Sequence, residues 1–281
     1  MRALRVKRLL MVVWLAAAAG LLCVVVLIRV LENQFIYFPP RYPEGFPSQQ
    51  MIDMNVEEIW MTTRDGVRIN AFYHSNPTSH QALLWFHGNA ENIGYGLDHL
   101  KALSEIGVNI LAVDYRGYGK SEGKPDETGV YRDADAAYDY LVTQRHFRAQ
   151  DILLYGVSLG GAVAIDLASR RPCGGLIVQS SFPSARAMAR RMFRIPLLEY
   201  VPKSKFDSLA KIPAVHAPIL IAHGTRDEVV PFEMGRQLFA AAPEPKRFFL
   251  IEGAGHNDML EVGGERYLAC LKGFVEKPAA E

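Results

Sequence analysis

One serine stands where a strand-like run gives way to a helix-like run. Ser158 lies in the sequence Gly-Val-Ser-Leu-Gly at residues 156–160, after the apolar run 152–155 and before the helix-forming run 162–168. So tight a turn requires residues without side chains at Gly156 and Gly160, and it exposes the serine hydroxyl at a helix N-terminus, where a developing anion is stabilised. We therefore interpret Ser158 as a nucleophile. An ordinary glycine-rich turn is the alternative.

A serine hydroxyl needs a base to take its proton, and the base needs an acid to orient it. Three histidines follow Ser158, at positions 216, 223 and 256. His256 comes after the apolar run 248–251, in a loop of small residues that could project a catalytic side chain from a rigid strand. His216 precedes a proline in a connector and His223 ends a strand, so we interpret both as structural. His256 is the predicted base.

The predicted acid is Asp227, in the glycine-containing loop after the apolar run 219–223. A surface aspartate in a turn is the ordinary alternative for this position. Glu228 and Asp207 are the competing carboxylates, but the sequence after Asp207 is more typical of a helix N-cap. We favour Asp227 over both.

The tetrahedral intermediate of acyl transfer requires two backbone N–H donors for its oxyanion. The residue after the nucleophile, Leu159, is one expected donor. The other should come from the loop after the strand 82–86, where Asn89 is the preferred residue and Ala90 the reserve. His87 precedes the nucleophile in the chain, and we interpret it as shaping this loop.

Five motifs in this order resemble the α/β-hydrolase superfamily and, within it, the Bem46-like group that includes depalmitoylases with an α/β-hydrolase domain. They occupy residues 87–90, 114–121, 156–160, 223–229 and 253–258. The resemblance implies Ser158 as nucleophile, Asp227 as acid, His256 as base, and Asn89 and Leu159 as oxyanion donors. It also implies that residues 114–117 are a structural landmark beside the site.

Eight strand-like runs alternate with helix-like runs after residue 50. The predicted fold class is α/β: an α/β-hydrolase fold with a mostly parallel sheet, helices on both faces and a short lid at about 181–218. The proposed site residues all follow strands, so they should gather at the carboxyl ends of the sheet. The domain is predicted to cover residues 51–276, with a tail at 277–281.

The N-terminus predicts a membrane anchor. Residues 9–28 carry no charge and are about 20 residues long, which is enough to cross a bilayer as a helix. The basic residues of segment 1–8 should remain cytoplasmic, which places the hydrolase domain on the extracytoplasmic side, or in the periplasm of a bacterium. A signal peptide cleaved after the alanine run 16–19 is the alternative. Residues 29–50 are predicted to be a linker, in which the aromatics 35–38 either lie at the membrane interface or pack on the domain.

The lid could carry a basic amphipathic helix. Ser184 is a candidate N-cap for a helix with Arg186, Arg190 and Arg191 beside methionine and phenylalanine. Such a helix could rest on an anionic membrane surface, or it could pack its apolar side chains on the domain and leave its arginines in solvent.

Composition limits the other functions. A net charge of +1, with no basic block outside the N-terminus, gives no support for a nucleic-acid partner. The three cysteines, Cys23, Cys173 and Cys270, form no metal-binding or disulfide pattern, and we expect neither a metal nor a cofactor.

The predicted function is that of a membrane-anchored serine hydrolase that cleaves carboxylic ester or thioester bonds through an acyl-enzyme, with an acyl ester or thioester as substrate and the lipid bilayer as a partner. A serine peptidase using the same triad is the alternative within enzymes. A catalytically silent, membrane-tethered binding module is the alternative of another class.

Overall fold

A long N-terminal helix leads into an α/β domain whose central sheet has eight strands. The computed structural model describes residues 2–42, 51, 53–193 and 203–278. The strands are β1 (Val56–Thr62), β2 (Arg68–His74), β3 (Ala82–Phe86), β4 (Asn109–Val113), β5 (Ile152–Val157), β6 (Gly175–Gln179), β7 (Ile219–Gly224) and β8 (Lys246–Ile251). The helices are α1 (Arg2–Ile36), α2 (Leu97–Ser104), α3 (Glu127–Thr143), α4 (Leu159–Arg170), α5 (Ala185–Phe193), α6 (Ser208–Lys211), α7 (Phe232–Ala241) and α8 (Met259–Glu276).

The strand order in the sheet is β1-β2-β4-β3-β5-β6-β7-β8. The pairs β1–β2 and β2–β4 are antiparallel, and every later pair is parallel. The predicted α/β-hydrolase fold with a mostly parallel sheet is therefore confirmed. The central strands read as apolar runs because both faces of a parallel sheet are covered, and β3 to β7 are buried almost throughout.

The register of the parallel strands brings their carboxyl ends to one edge. Phe86 at the end of β3 pairs with Gly156 near the end of β5, and Gly224 of β7 pairs with Ile251 of β8. The loops after these strands carry the predicted site residues. They consequently emerge together at this edge of the sheet.

The helix α1 continues beyond the predicted membrane span. It reaches Ile36, so residues 29–36 of the predicted linker are helical. Within it, Lys7–Gln34 is long and apolar enough to cross a membrane. Arg29, the first charged residue after the apolar run, lowers the hydropathy but does not end the helix. The prolines at 39 and 40 prevent the helix from continuing, because the residue before a proline is disfavoured in helical conformation.

The rest of the described linker packs on the hydrolase domain. Tyr37 is 2% exposed and its ring meets that of Phe206 edge to face. Tyr37 thus follows the alternative in which the aromatics 35–38 pack on the domain. Residues 43–50 of that linker lie outside the described part of the chain.

The lid region contains α5 and the short α6. The hydroxyl of Ser184 accepts a hydrogen bond from the Ala187 N–H at 3.1 Å, and Asp207 caps α6 by accepting from Ala210 at 3.2 Å. Both predicted N-caps are thus present. Residues 194–202 of the lid fall outside the described ranges.

Candidate active site

The backbone at Ser158 adopts a conformation that few residues other than glycine tolerate. Its φ and ψ angles are 54° and −113°, directly between β5 and α4. A Cβ at Gly156 would stand 2.2 Å from the Gly160 carbonyl oxygen, and one at Gly160 would stand 2.1 Å from the carbonyl oxygen of Phe86. Only glycine allows this close approach of backbone segments, which explains why glycine stands two residues before and two residues after the serine.

Three predicted side chains form one chain of hydrogen bonds. Nδ1 of His256 lies 2.8 Å from Oδ2 of Asp227, and Nε2 of the same ring lies 3.1 Å from Oγ of Ser158. Because an ionised carboxylate can only accept, Nδ1 carries the proton and donates it to Asp227. In the neutral ring, Nε2 is then free to accept from the serine hydroxyl. The arrangement can remove the serine proton.

Asp227 is held by more than the histidine. Its Oδ1 accepts hydrogen bonds from the backbone N–H groups of Val229 and Val230, at 3.0 and 2.7 Å. Burial alone would raise the pKa of this carboxyl group, but hydrogen bonds from His223, His256 and Val230 outweigh it and hold the pKa well below its usual range. Asp227 is consequently a carboxylate throughout the neutral range.

The competing candidates lie elsewhere or play other parts. Glu228 and His216 are exposed, and Asp207 caps α6. His223 is buried, and its Nε2 donates to the Val230 carbonyl oxygen at 2.9 Å while lying 3.4 Å from Oδ2 of Asp227. His223 therefore contacts Asp227, and the interpretation of His223 as structural does not include this contact.

The loop after β3 lies directly against the nucleophile turn. A Cβ at Gly88 would stand 3.7 Å from the Cβ of Ser158. Asn89 follows this glycine, and Leu159 is the first residue of α4, where an N–H has no partner within the helix. His87 contacts this loop, as expected. Its Nδ1 lies 2.7 Å from the Gly88 carbonyl oxygen, and the Tyr115 hydroxyl donates a hydrogen bond to the carbonyl oxygen of His87.

Glu91 is a carboxyl group at the site that sequence reasoning did not single out. Its Oε2 accepts from the Gly88 N–H at 3.3 Å, and burial raises its pKa. Its position is a usable signal, since an acidic residue two positions after Asn89 must share the same short loop. In the part of the chain that the structure describes, no three His, Cys, Asp or Glu side chains are grouped so that they could hold a metal ion.

Comparison with known proteins decides the family. A family model described as "Serine aminopeptidase, S33" matches residues 77–211. An uncharacterized protein of Mycobacterium tuberculosis is 34% identical over 91% of this chain and 91% of its own length. Alpha/beta hydrolase domain-containing protein 17C of Mus musculus is 37% identical over 81% of this chain and 70% of its own length. The chain belongs to the α/β-hydrolase family.

Solved structures agree with this assignment at the level of the fold. A Pyrococcus furiosus esterase, Pf2001, superimposes with a TM-score of 0.71 at 22% identity, covering 85% of this α/β-hydrolase and 98% of the esterase. An α/β-hydrolase from Vibrio vulnificus has the same TM-score and identity, covering 86% of this chain and 93% of its own. As a member of this family, the protein is a hydrolase.

Proposed function

We propose that this α/β-hydrolase is a membrane-anchored serine hydrolase that cleaves carboxylic ester or thioester bonds through an acyl-enzyme. One observation carries the proposal: the unbroken hydrogen-bond chain from Ser158 through His256 to Asp227, built on a strained turn. Strain of this kind is concentrated at functional sites because it positions a reactive group.

The first half-reaction forms the acyl-enzyme. Ser158 Oγ attacks the substrate carbonyl carbon while Nε2 of His256 takes the hydroxyl proton, and Asp227 stabilises the resulting imidazolium. The carbonyl oxygen becomes an oxyanion that accepts hydrogen bonds from the N–H groups of Leu159 and Asn89. Collapse of the intermediate breaks the bond to the alcohol or thiol, which leaves with the proton from His256.

The second half-reaction restores the enzyme. Water attacks the acyl carbon, giving a proton to His256 and forming a second oxyanion in the same site. Ser158 Oγ then leaves with that proton, and a carboxylic acid is released.

The anchor is the second element of the proposal. Within Lys7–Gln34 of α1, the apolar window of 18 residues has a mean hydropathy of 2.8, and none of that window is buried by the domain. Many of its apolar side chains are exposed, including Trp14 at 75%. Such a surface is stable only in an apolar surrounding such as lipid. The basic residues before Leu9 favour a cytoplasmic N-terminus and an extracytoplasmic domain.

A peptidase is the second candidate, because the matching family model is described as a serine aminopeptidase and the same three side chains can cleave amides. The test is hydrolysis of a short p-nitrophenyl ester, an acyl thioester and an aminoacyl p-nitroanilide by the full-length protein. We expect turnover of the first two, loss of it in Ser158→Ala, and little turnover of the amide. If the amide is the preferred substrate, the peptidase assignment replaces ours.

A further inference from the structure

The end of α1 and the residues after it form hydrogen bonds with the loop after β3. We call this loop, residues 87–93, the oxyanion loop because it carries the proposed donor Asn89. We call residues 36–42 the docked segment. The side chain of Asn89 donates from Nδ2 to the Ile36 carbonyl oxygen at 2.6 Å, and its Oδ1 accepts from the Phe38 N–H at 3.1 Å. The Ile36 carbonyl belongs to the last turn of α1, where carbonyls lack a partner within the helix. Asn89 thus caps the anchor helix.

The orientation of this carboxamide is fixed by the backbone. The N–H of Phe38 can only donate and the carbonyl of Ile36 can only accept, so the Asn89 oxygen must face the former and its NH₂ group the latter. Oδ1 also accepts from the Tyr118 hydroxyl at 2.7 Å and from the Ala90 N–H at 3.0 Å. The side chain is therefore held from the anchor side and the domain side together.

Two further contacts join the docked segment to the same region of the domain. The buried Asn92 donates to the Pro40 carbonyl oxygen at 3.2 Å. The Tyr42 hydroxyl donates to Oδ2 of Asp114, whose Oδ1 accepts from the Ile93 N–H at 2.9 Å. The loop after β3 is consequently tied to the docked segment at three successive places.

The loop needs such support for catalysis. Ala90 has a φ of 56°, a left-handed conformation that an alanine adopts only when its surroundings impose it. An oxyanion donor works only if it is already aimed at the place where the charge develops, so a displacement of a fraction of an ångström is costly. The residue that supplies the proposed donor N–H, Asn89, is the one whose side chain is bonded to the anchor helix.

We propose that the docked segment is part of the catalytic apparatus: through the Asn89 carboxamide it holds the Asn89 N–H at the oxyanion position. The carboxamide is then a positioning group, and the end of the anchor helix sets the geometry of the site. This inference rests on the proposed function. It predicts that turnover depends on contacts made by residues outside the α/β domain.

The first test is Asn89→Ala in the full-length protein, which removes the carboxamide and keeps the backbone N–H. Asn33→Ala is the matched control. Asn33 lies on α1 about one turn before Ile36 and has an exposed side chain. Rates on a soluble p-nitrophenyl ester are expressed per site titrated to completion with a fluorophosphonate. We expect Asn89→Ala to lower kcat roughly 10- to 100-fold with little change in KM. Asn33→Ala should match the wild type.

A boronic acid gives a readout that a merely structural role would not move. Its adduct with Ser158 places an anionic oxygen in the oxyanion site, so its affinity should fall in Asn89→Ala in parallel with kcat. Wild-type kcat and boronate affinity in Asn89→Ala would overturn the inference, and the inactivity of Ser158→Ala would still uphold the proposed function. A wild-type protein that neither turned over esters nor labelled at Ser158 would refute the proposed function itself.

The second test acts from the anchor side. Phe38→Pro removes the N–H that donates to Asn89, and Tyr42→Phe removes the hydroxyl that donates to Asp114 without changing the shape of the ring. We expect both to lower kcat, Tyr42→Phe by a smaller factor, and Phe38→Pro to add little to Asn89→Ala because the two changes break one interaction. If neither variant changes kcat, Asn89 acts within its own loop and the role of the anchor is wrong.

Discussion

At the scale of residues, the candidate site depends on one tautomer of one imidazole. Asp227 fixes the proton of His256 on Nδ1 and so leaves Nε2 available to Ser158. His223 and two backbone N–H groups keep Asp227 in place from the other side. Asp227 is therefore held in place and kept ionised by these neighbouring groups.

This dependence gives a matched pair of aspartate variants. Asp227→Asn presents an amide that can donate to Nδ1, which favours the tautomer with its proton on Nε2 and removes the base. We expect kcat for ester hydrolysis to fall by a factor on the order of 10⁴. Asp207→Asn, which changes a helix cap remote from this chain of contacts, should keep near wild-type kcat. The opposite result, with activity lost at 207 and retained at 227, would show that the acid is misassigned.

Much of the site could be predicted from residue types and spacing alone. Ser158, Asp227 and His256 each follow an apolar run and at least one glycine, and a parallel sheet brings such positions together. The contact of His223 with Asp227 could not be predicted in this way. It depends on how the loop 225–230 packs against the end of β7. It also depends on the close approach of α7, where a Cβ at Gly235 would stand 2.3 Å from Nδ1 of His223.

At the scale of elements, the sheet and most helices agree with the sequence pattern, and the differences have local causes. The last helix, α8, begins at Met259 and passes through the paired glycines 263 and 264, where Gly264 has φ and ψ angles of 49° and −144°. A paired glycine lowers helix propensity without preventing a turn of helix before it. Hydropathy likewise located the membrane-compatible part of α1 but not its end.

The turn after β4 carries the motif at residues 114–117, which we interpret as structural. Arg116 donates to Asp133 of α3 through Nε and Nη2, and to Asp65 of the β1–β2 turn through both Nη atoms. The fork of its guanidinium matches two carboxylates at once. This bridge explains the landmark at residues 114–117 as a tie between three elements, consistent with the expectation that it does no chemistry.

At the scale of the whole molecule, α1 and the α/β domain are in direct contact. Glu32 of α1 is buried and accepts hydrogen bonds from the backbone N–H groups of Lys203 and Ser204 in the lid. The docked segment continues these contacts toward the oxyanion loop. Sequence patterns could not predict this, because hydropathy and proline content say where a helix can lie and not which loop its end will meet.

The proposed membrane anchor and its orientation are open to a direct test. Protease added to intact spheroplasts should digest the hydrolase domain, since the basic N-terminus is expected to stay in the cytoplasm. The mature chain should keep its first residues. A domain protected from the protease would refute this orientation, and a mature N-terminus near Gly20 would support a cleaved signal peptide instead.

The central claim is that Ser158 is an activated nucleophile, and its labelling tests this most directly. The full-length protein is treated with a fluorophosphonate, and the modified peptide is identified by mass spectrometry. We predict a single phosphonyl adduct on Ser158, formed quickly in the wild type and absent in Ser158→Ala. A folded wild-type protein with no adduct would contradict the account and favour a catalytically silent binding module, and an adduct on another serine would place the nucleophile elsewhere.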